Sequence, residues 1–173
     1  METGPLKDSC GATLISKKVL VTAAHCLFDG EGSQFGARHV DVTLGMHNRS
    51  NSEETWRQTI KTASLVVHPG YDHSRGDFKD DIALVILKNE VNVNDFERPI
   101  CLWNSGYDLN EIANKSVTVV GWGYTLDHEQ PQILQKAIMK VASYEECFES
   151  NKRFFSRFMR PTKNFCAGDV LKI

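Results

Sequence analysis

Five short apolar, β-branched runs recur along the chain: ATLISKKVLVTAA from residue 12, HVDVTLG from 39, TASLVVH from 62, DIALVILK from 81 and SVTVVGW from 116. Clusters of Gly, Pro, Asn and Asp separate them, which is the pattern of strands joined by turns. IALVIL, residues 82–87, is apolar throughout and predicts a strand buried on both faces. QILQKAIMKVAS, residues 132–143, fits both the helical and the strand period, so the pattern alone leaves it open. YEECFESNKRFFSRF, residues 144–158, predicts a helix at its start, where Glu145 and Glu146 suit a first turn. NDFERPICLWNSGYDLNEIANK, residues 94–115, reads as the connection between two all-β halves. Repeats and low-complexity segments are absent. The pattern predicts an all-β protein of two barrels or sandwiches.

Composition narrows the class. At 173 residues the chain suffices for one domain or two small barrels, and 41% apolar content supports a packed core. A net charge of −2 sets up no overall field for nucleic acid or an anionic membrane. No apolar run approaches the roughly 18 residues of a membrane span. METGPLKDSCG lacks the apolar stretch of a signal peptide.

The cysteines point to a different compartment. Cys10, Cys26, Cys101, Cys147 and Cys166 form no CxxC pair, which argues against a structural zinc site. Five is an odd count, so one thiol is free or bonded outside the chain. Two sequons, at Asn48 and Asn114, permit N-glycosylation in a secretory setting. Together these features favour an extracellular protein. The missing leader conflicts with that reading and predicts an incomplete chain.

VLVTAAHC, residues 19–26, sets small residues around His25. A lone histidine of this kind is more often a satisfied polar group than a catalyst. Asp81 stands where the run 82–87 would enter the core, and a buried carboxylate is costly without a partner. An imidazole N–H is one such partner, and it would fix the tautomer of His25. The alternative is that Asp80 and Asp81 simply cap a strand in solvent.

In this order, CGATLISKKVLVTAAHC, DDIALVIL, RPICL, VVGWG and NFCAG resemble the trypsin/chymotrypsin family of serine endopeptidases. The resemblance runs from about Asp8 to Gly168. TAAHC is specific by itself, and the other motifs gain weight from their order. The resemblance implies two six-stranded antiparallel β-barrels with the active site in the cleft between them. The first strand and the end of the second barrel are missing. It places the first barrel at about 8–98, a connection at 99–116 and an incomplete second barrel at 117–173. It assigns His25 as the catalytic histidine and Asp81 as the catalytic aspartate. It also implies disulfides Cys10–Cys26 and Cys147–Cys166, with Gly121-Trp122-Gly123 as the turn opening the second barrel. Zinc ligation by His25 and Cys26 is the weaker reading of the first motif. In multidomain relatives the cysteine matching Cys101 bonds to a segment upstream of the protease domain, which implies a tether to a regulatory region; the plain alternative is a free buried thiol.

The chain also departs from the family. The nine residues before Cys10 do not match the family's mature N-terminus. After NFCAG the chain reads DVLKI, where the family continues to the Gly-Asp-Ser-Gly-Gly stretch that carries the nucleophile. Aligning Gly168-Asp169-Val170 with that stretch fails, because its glycine belongs to the preceding strand motif and no Gly-Gly follows. Ser9, Ser16 and Ser143 have no nucleophile context. Some relatives bind calcium in the loop after the LG of the first barrel. Here that loop reads LGMHNRSNSEET, with Met46 where a glutamate is expected. Calcium needs hard oxygen ligands, which Glu53 and Glu54 further along the loop offer, but calcium is the weaker reading and no metal or other cofactor is expected. KRFFSRFMR, residues 152–160, is basic and aromatic; it reads as a surface helix and loop rather than a nucleic-acid or membrane patch, and it could serve protein partners as an exosite.

Two functions follow as expectations. One is a secreted serine endopeptidase acting on protein substrates and subject to protein inhibitors, with His25 and Asp81 present and the serine absent from these residues. The other is a non-catalytic homologue that presents the barrel surface to partners.

Overall fold

The computed structural model describes residues 9–104, 111–125, 127–160 and 162–168. The METGPLKD start, residues 105–110 of the connection and the DVLKI end lie outside the described residues. The chain divides into two compact units: Met1–Met46 with Asn51–Leu102, and His47–Ser50 with Trp103–Ile173.

The first unit is built on a five-stranded antiparallel sheet in the order β1-β2-β5-β4-β3. Its strands are β1 (Thr13–Leu14), β2 (Val19–Thr22), β3 (Asp41–Leu44), β4 (Gln58–Val67) and β5 (Ala83–Leu87). The ATLISKKVLVTAA run folds into the β1–β2 hairpin, pairing Thr13 with Val21 and Leu14 with Leu20. Ser16 organises its turn by accepting from the N–H groups of Lys18 and Val19. β5 lies between β2 and β4, so the run apolar at every position is an interior strand. Ala83, Val85 and Leu87 are buried on one face, while Leu84 and Ile86 are half-buried on the other. With Leu14, Leu20, Ala24, Leu27, Val42 and Val91 they form one core, against which Phe28, Leu65 and Tyr71 pack.

The second unit carries a three-stranded antiparallel sheet of β6 (Ser116–Gly121), β7 (Gln135–Ala142) and β8 (Cys166–Gly168), in that order. The ambiguous run at 132–143 is therefore mostly strand: β7 is held by β6 on one side and β8 on the other, and this tertiary pairing selects between two periods the sequence fits equally. Two short helices follow, α1 (Tyr144–Ser150) and α2 (Lys152–Phe158). The buried cluster of this unit is small: Ala142, Cys147 and Met159, with Phe155 and Cys166 against them; Val141 is also buried. Val119, Val120 and Ile138 are 49%, 63% and 68% exposed, so apolar side chains on both faces of its sheet are uncovered. The fold is all-β, and among the described residues α-helix occurs only in the chain following β7.

α1 begins with a reciprocal cap. The Ser143 N–H and hydroxyl both donate to Glu146 Oε2, and Ser143 Oγ accepts from the Glu146 N–H. The backbone and then the side-chain bond from Ser143 hold the Glu146 carboxyl below its usual range. A depressed carboxyl stabilises the fold fully above its unfolded-state pKa, and that stabilisation is lost as pH falls through the folded-state value. Urea unfolding should show Glu146→Gln less stable than wild type at neutral pH, with the gap closing in acid. Ser143→Ala should cost about 1 kcal/mol at neutral pH. A gap that is the same at both pH values would show that the cap carries no charge-dependent stability.

Candidate active site

The small residues of VTAAHC permit a tight turn. β2 ends at Thr22, and Ala24–Leu27 form one 3₁₀ turn with Ala24 and Leu27 buried beneath it. His25 projects outward, its side chain 44% exposed, which removes the reading of a satisfied core group. Cys26 is joined to Cys10, so the turn is tied to the segment that precedes β1. Independently of that bond, the Thr22 hydroxyl donates to the Gly11 carbonyl at 2.8 Å.

Asp81 immediately precedes β5 and, with a side chain 15% exposed, meets His25 twice. The His25 backbone N–H donates to Oδ1 at 2.8 Å, and His25 Nδ1 lies 2.7 Å from Oδ2. A carboxylate can only accept there, so the proton of a neutral ring sits on Nδ1 and Nε2 carries the lone pair. The sequence alternative of two solvated caps is settled by direction. Asp81 faces His25, whereas the Asp80 carboxylate lies over Gly70, where an added Cβ would come within 2.6 Å of it. Phe78 and Asp80 both adopt positive φ, 50° and 53°. Such conformations cost of order 1 kcal/mol or more in non-glycine residues and cluster at functional sites.

Two neighbours were not singled out from the sequence. Phe78 meets the His25 ring edge-on, with centroids 5.6 Å apart, and is itself 55% exposed. Tyr71 packs against the first core, and burial, followed by the charges of Asp81 and Asp72, pushes its phenol pKa up. Neither residue carries a short motif; only the fold brings the segment 71–78 beside the turn that holds His25. An imidazole with Nδ1 on a carboxylate and Nε2 outward can accept a proton at Nε2 while the carboxylate stabilises the resulting cation.

The other candidate residues lie elsewhere. Cys147 is joined to Cys166, linking α1 to β8. Cys101 is unpaired and exposed, between Ile100, Leu102 and Trp103, which are 58%, 63% and 62% exposed. The free buried thiol is thus not what is seen. Asn48 is half-buried and accepts from the Ser50 N–H; Asn114 is exposed, at φ 63°. Trp122 of the GWG motif donates from Nε1 to the His47 carbonyl at 3.3 Å. In the loop after β3, Arg57 donates to the Asn51 carbonyl at 2.6 Å and to Met46 Sδ at 3.3 Å. A guanidinium and a thioether do not fit a calcium ion, which needs an all-oxygen shell. No helix among the described residues is long and apolar enough to cross a membrane.

Comparison with known proteins bears on this arrangement. The chain is 29% identical to serine protease gd of Drosophila melanogaster, over 94% of the chain and 33% of that protein. It is 31% identical to the clotting factor G beta subunit of Tachypleus tridentatus, over 96% of the chain and 53% of the relative. It is 32% identical to the CLIP domain-containing serine protease B10 of Anopheles gambiae, over 95% and 46%. The chain thus spans a third to about half the length of these curated relatives. The family model described as Trypsin matches residues 1–170. With that match extending over nearly all of its length, the chain belongs to the trypsin family and is a trypsin-like serine protease domain.

Proposed function

We propose that these residues supply the general base and its orienting carboxylate for a serine endopeptidase acting on extracellular protein substrates, His25 being the base and Asp81 the orienter. The observation that carries this reading is the two-point hold of Asp81 on His25, at the backbone N–H and at Nδ1. It sets both the position and the tautomer of the ring, as a base in acyl transfer requires. The 173 residues contain no Gly-Asp-Ser-Gly-Gly stretch, so the nucleophile is assigned to sequence outside them. In a longer protein that carries these residues, a fluorophosphonate probe should label one serine, and His25→Ala should abolish the labelling. Labelling that survives His25→Ala would remove the base role.

The same reading extends to partners. An unpaired thiol within an exposed apolar strip supports a covalent tether from Cys101 to an upstream regulatory segment. Non-reducing peptide mapping of the longer protein should find Cys101 cross-linked to a peptide outside these residues; a free Cys101 there would remove the tether. Because Arg57 already bridges the loop after β3, no calcium is expected in it. Thermal unfolding should be unchanged between millimolar calcium and excess chelator, and a calcium-dependent rise in Tm would contradict this.

A further inference from the structure

Among the described residues, Cys10, His25 and Cys26 place their two sulfurs and one ring nitrogen within 4.8 Å of one another. With the disulfide closed, neither sulfur can bind a metal as a thiolate. We propose that reducing Cys10–Cys26 creates a zinc site of two thiolates and the Nε2 of His25, located at the proton-accepting atom itself.

The geometry supports this in three ways. First, Cys26 Sγ lies 3.6 Å from His25 Nε2. A tetrahedral zinc with bonds of about 2.3 Å to sulfur and about 2.0–2.1 Å to nitrogen holds those two atoms roughly 3.6 Å apart, so the spacing of this pair already matches that of two zinc ligands. Second, Asp81 Oδ2 at 2.7 Å fixes the Nδ1 proton and turns the Nε2 lone pair outward. This is the carboxylate–histidine–zinc arrangement of metal sites, with Asp81 as a positioning residue behind the ligand. Third, the Cys10 segment stays in place without the disulfide. The Gly11 carbonyl is held by the Thr22 hydroxyl, and Thr13 and Leu14 are paired with Val21 and Leu20. The sulfurs therefore need only separate from bonding distance to the spacing of two zinc ligands. Cys10 and His25 are exposed and Cys26 is half-buried, so both reductant and ion have access.

The chemistry balances with a dithiol as reductant. The dithiol cleaves the Cys10–Cys26 bond, is oxidised to its own disulfide, and leaves two thiols on the protein. Zinc then forms two Zn–S bonds and one Zn–N bond, the two thiol protons pass to water, and a water molecule fills the fourth position. A zinc ion on Nε2 bars that atom from accepting a proton. This silencing rests on the role proposed for His25, whereas the metal site itself rests on geometry alone. Thiol–disulfide exchange with the oxidised form of the dithiol recloses the Cys10–Cys26 bond, regenerates the dithiol and releases the ion, so the turn acts as a redox-gated inhibitory site.

The test uses metal binding and no activity assay, so its failure is distinct from failure of the catalytic reading. The chain, with Cys101→Ala to remove the fifth thiol, is reduced anaerobically with a phosphine, which adds no competing thiol. It is then desalted and titrated with Zn²⁺ against a chromophoric chelator. The reduced chain should bind one equivalent that the oxidised chain does not. Asp81→Asn should weaken that binding about 10–100-fold, and His25→Ala at least as much. Cys147→Ser should leave it in place. Binding indifferent to both His25→Ala and Asp81→Asn, as the thiols of an unfolded chain or the Cys147 and Cys166 pair would give, overturns the proposal. So does the absence of a stoichiometric site in the reduced chain.

Discussion

The purified 173-residue polypeptide is expected to cleave a mixed peptide library no faster than background. Nε2 of His25 is ready to accept a proton, but only from a hydroxyl within hydrogen-bond reach, and the contact found there is the disulfide sulfur of Cys26. The Ser16 hydroxyl organises the β1–β2 turn, and that of Ser143 caps α1. Loss of the serine from such a triad costs about 10⁶-fold in turnover, roughly 8 kcal/mol of barrier. A donor pair aimed at the developing oxyanion would contribute separately, but it acts only on an intermediate that an attacking nucleophile has formed. The measurement pairs the library with a fluorophosphonate probe. Labelling of the polypeptide that disappears in His25→Ala would reveal a serine working with this histidine and refute the expectation.

In a longer protein that supplies the nucleophile, Asp81→Asn should lower kcat by about 10⁴-fold, roughly 5.5 kcal/mol, with KM little changed. That magnitude is the one known for the same exchange in a trypsin-like triad. The physical reason is visible here. An asparagine oxygen can still accept from the His25 backbone N–H, as Asp81 Oδ1 does at 2.8 Å, so the turn keeps its place. The amide NH₂ that replaces Oδ2 can only donate toward Nδ1, so the ring proton moves to Nε2 and the base is lost. Asp80→Asn provides the contrast. Asparagine tolerates the positive φ at that position, and the Asp80 carboxylate faces Gly70 rather than His25. Its turnover should stay near wild type. An equal fall in both variants would mean that the loop, rather than the Asp81 carboxylate, sets the rate.

The contrast between Asp80 and Asp81 shows how far one-dimensional reading reaches. Both are plain in DDIALVIL, and sequence pattern alone gives either one the same claim on a partner. The family resemblance chose Asp81, and the fold shows the cause: one carboxylate points across to the turn after β2, and its neighbour points back over the chain. Phe78 and Tyr71 were missed because their only signal is spatial. They stand 53 and 46 residues from His25 in sequence and carry no periodic or catalytic motif.

The strands of the first unit were readable because alternation and β-branching are local consequences of a chain half-buried in a sheet. The run apolar at every position lies inside the sheet, between β2 and β4, but only one of its faces is buried, with Leu84 and Ile86 half-buried on the other. At residues 132–143, by contrast, two periods fit equally, and only pairing with β6 and β8 selected the strand. Membership of units was also beyond the sequence. His47–Ser50 sit in the loop after β3 yet belong with the second unit, through the bridge from Asn48 to Ile133 and the bond from the Arg49 N–H to the Gln132 carbonyl. Glu97, within what reads as a polar connection, is 5% exposed, with Gln58 and Asn94 donating to its carboxylate. Local composition determines which elements a chain can form. Which side chains of distant segments meet, and therefore which carboxylate finds the histidine and which is buried among amides, is decided only when the sheets bring those segments together.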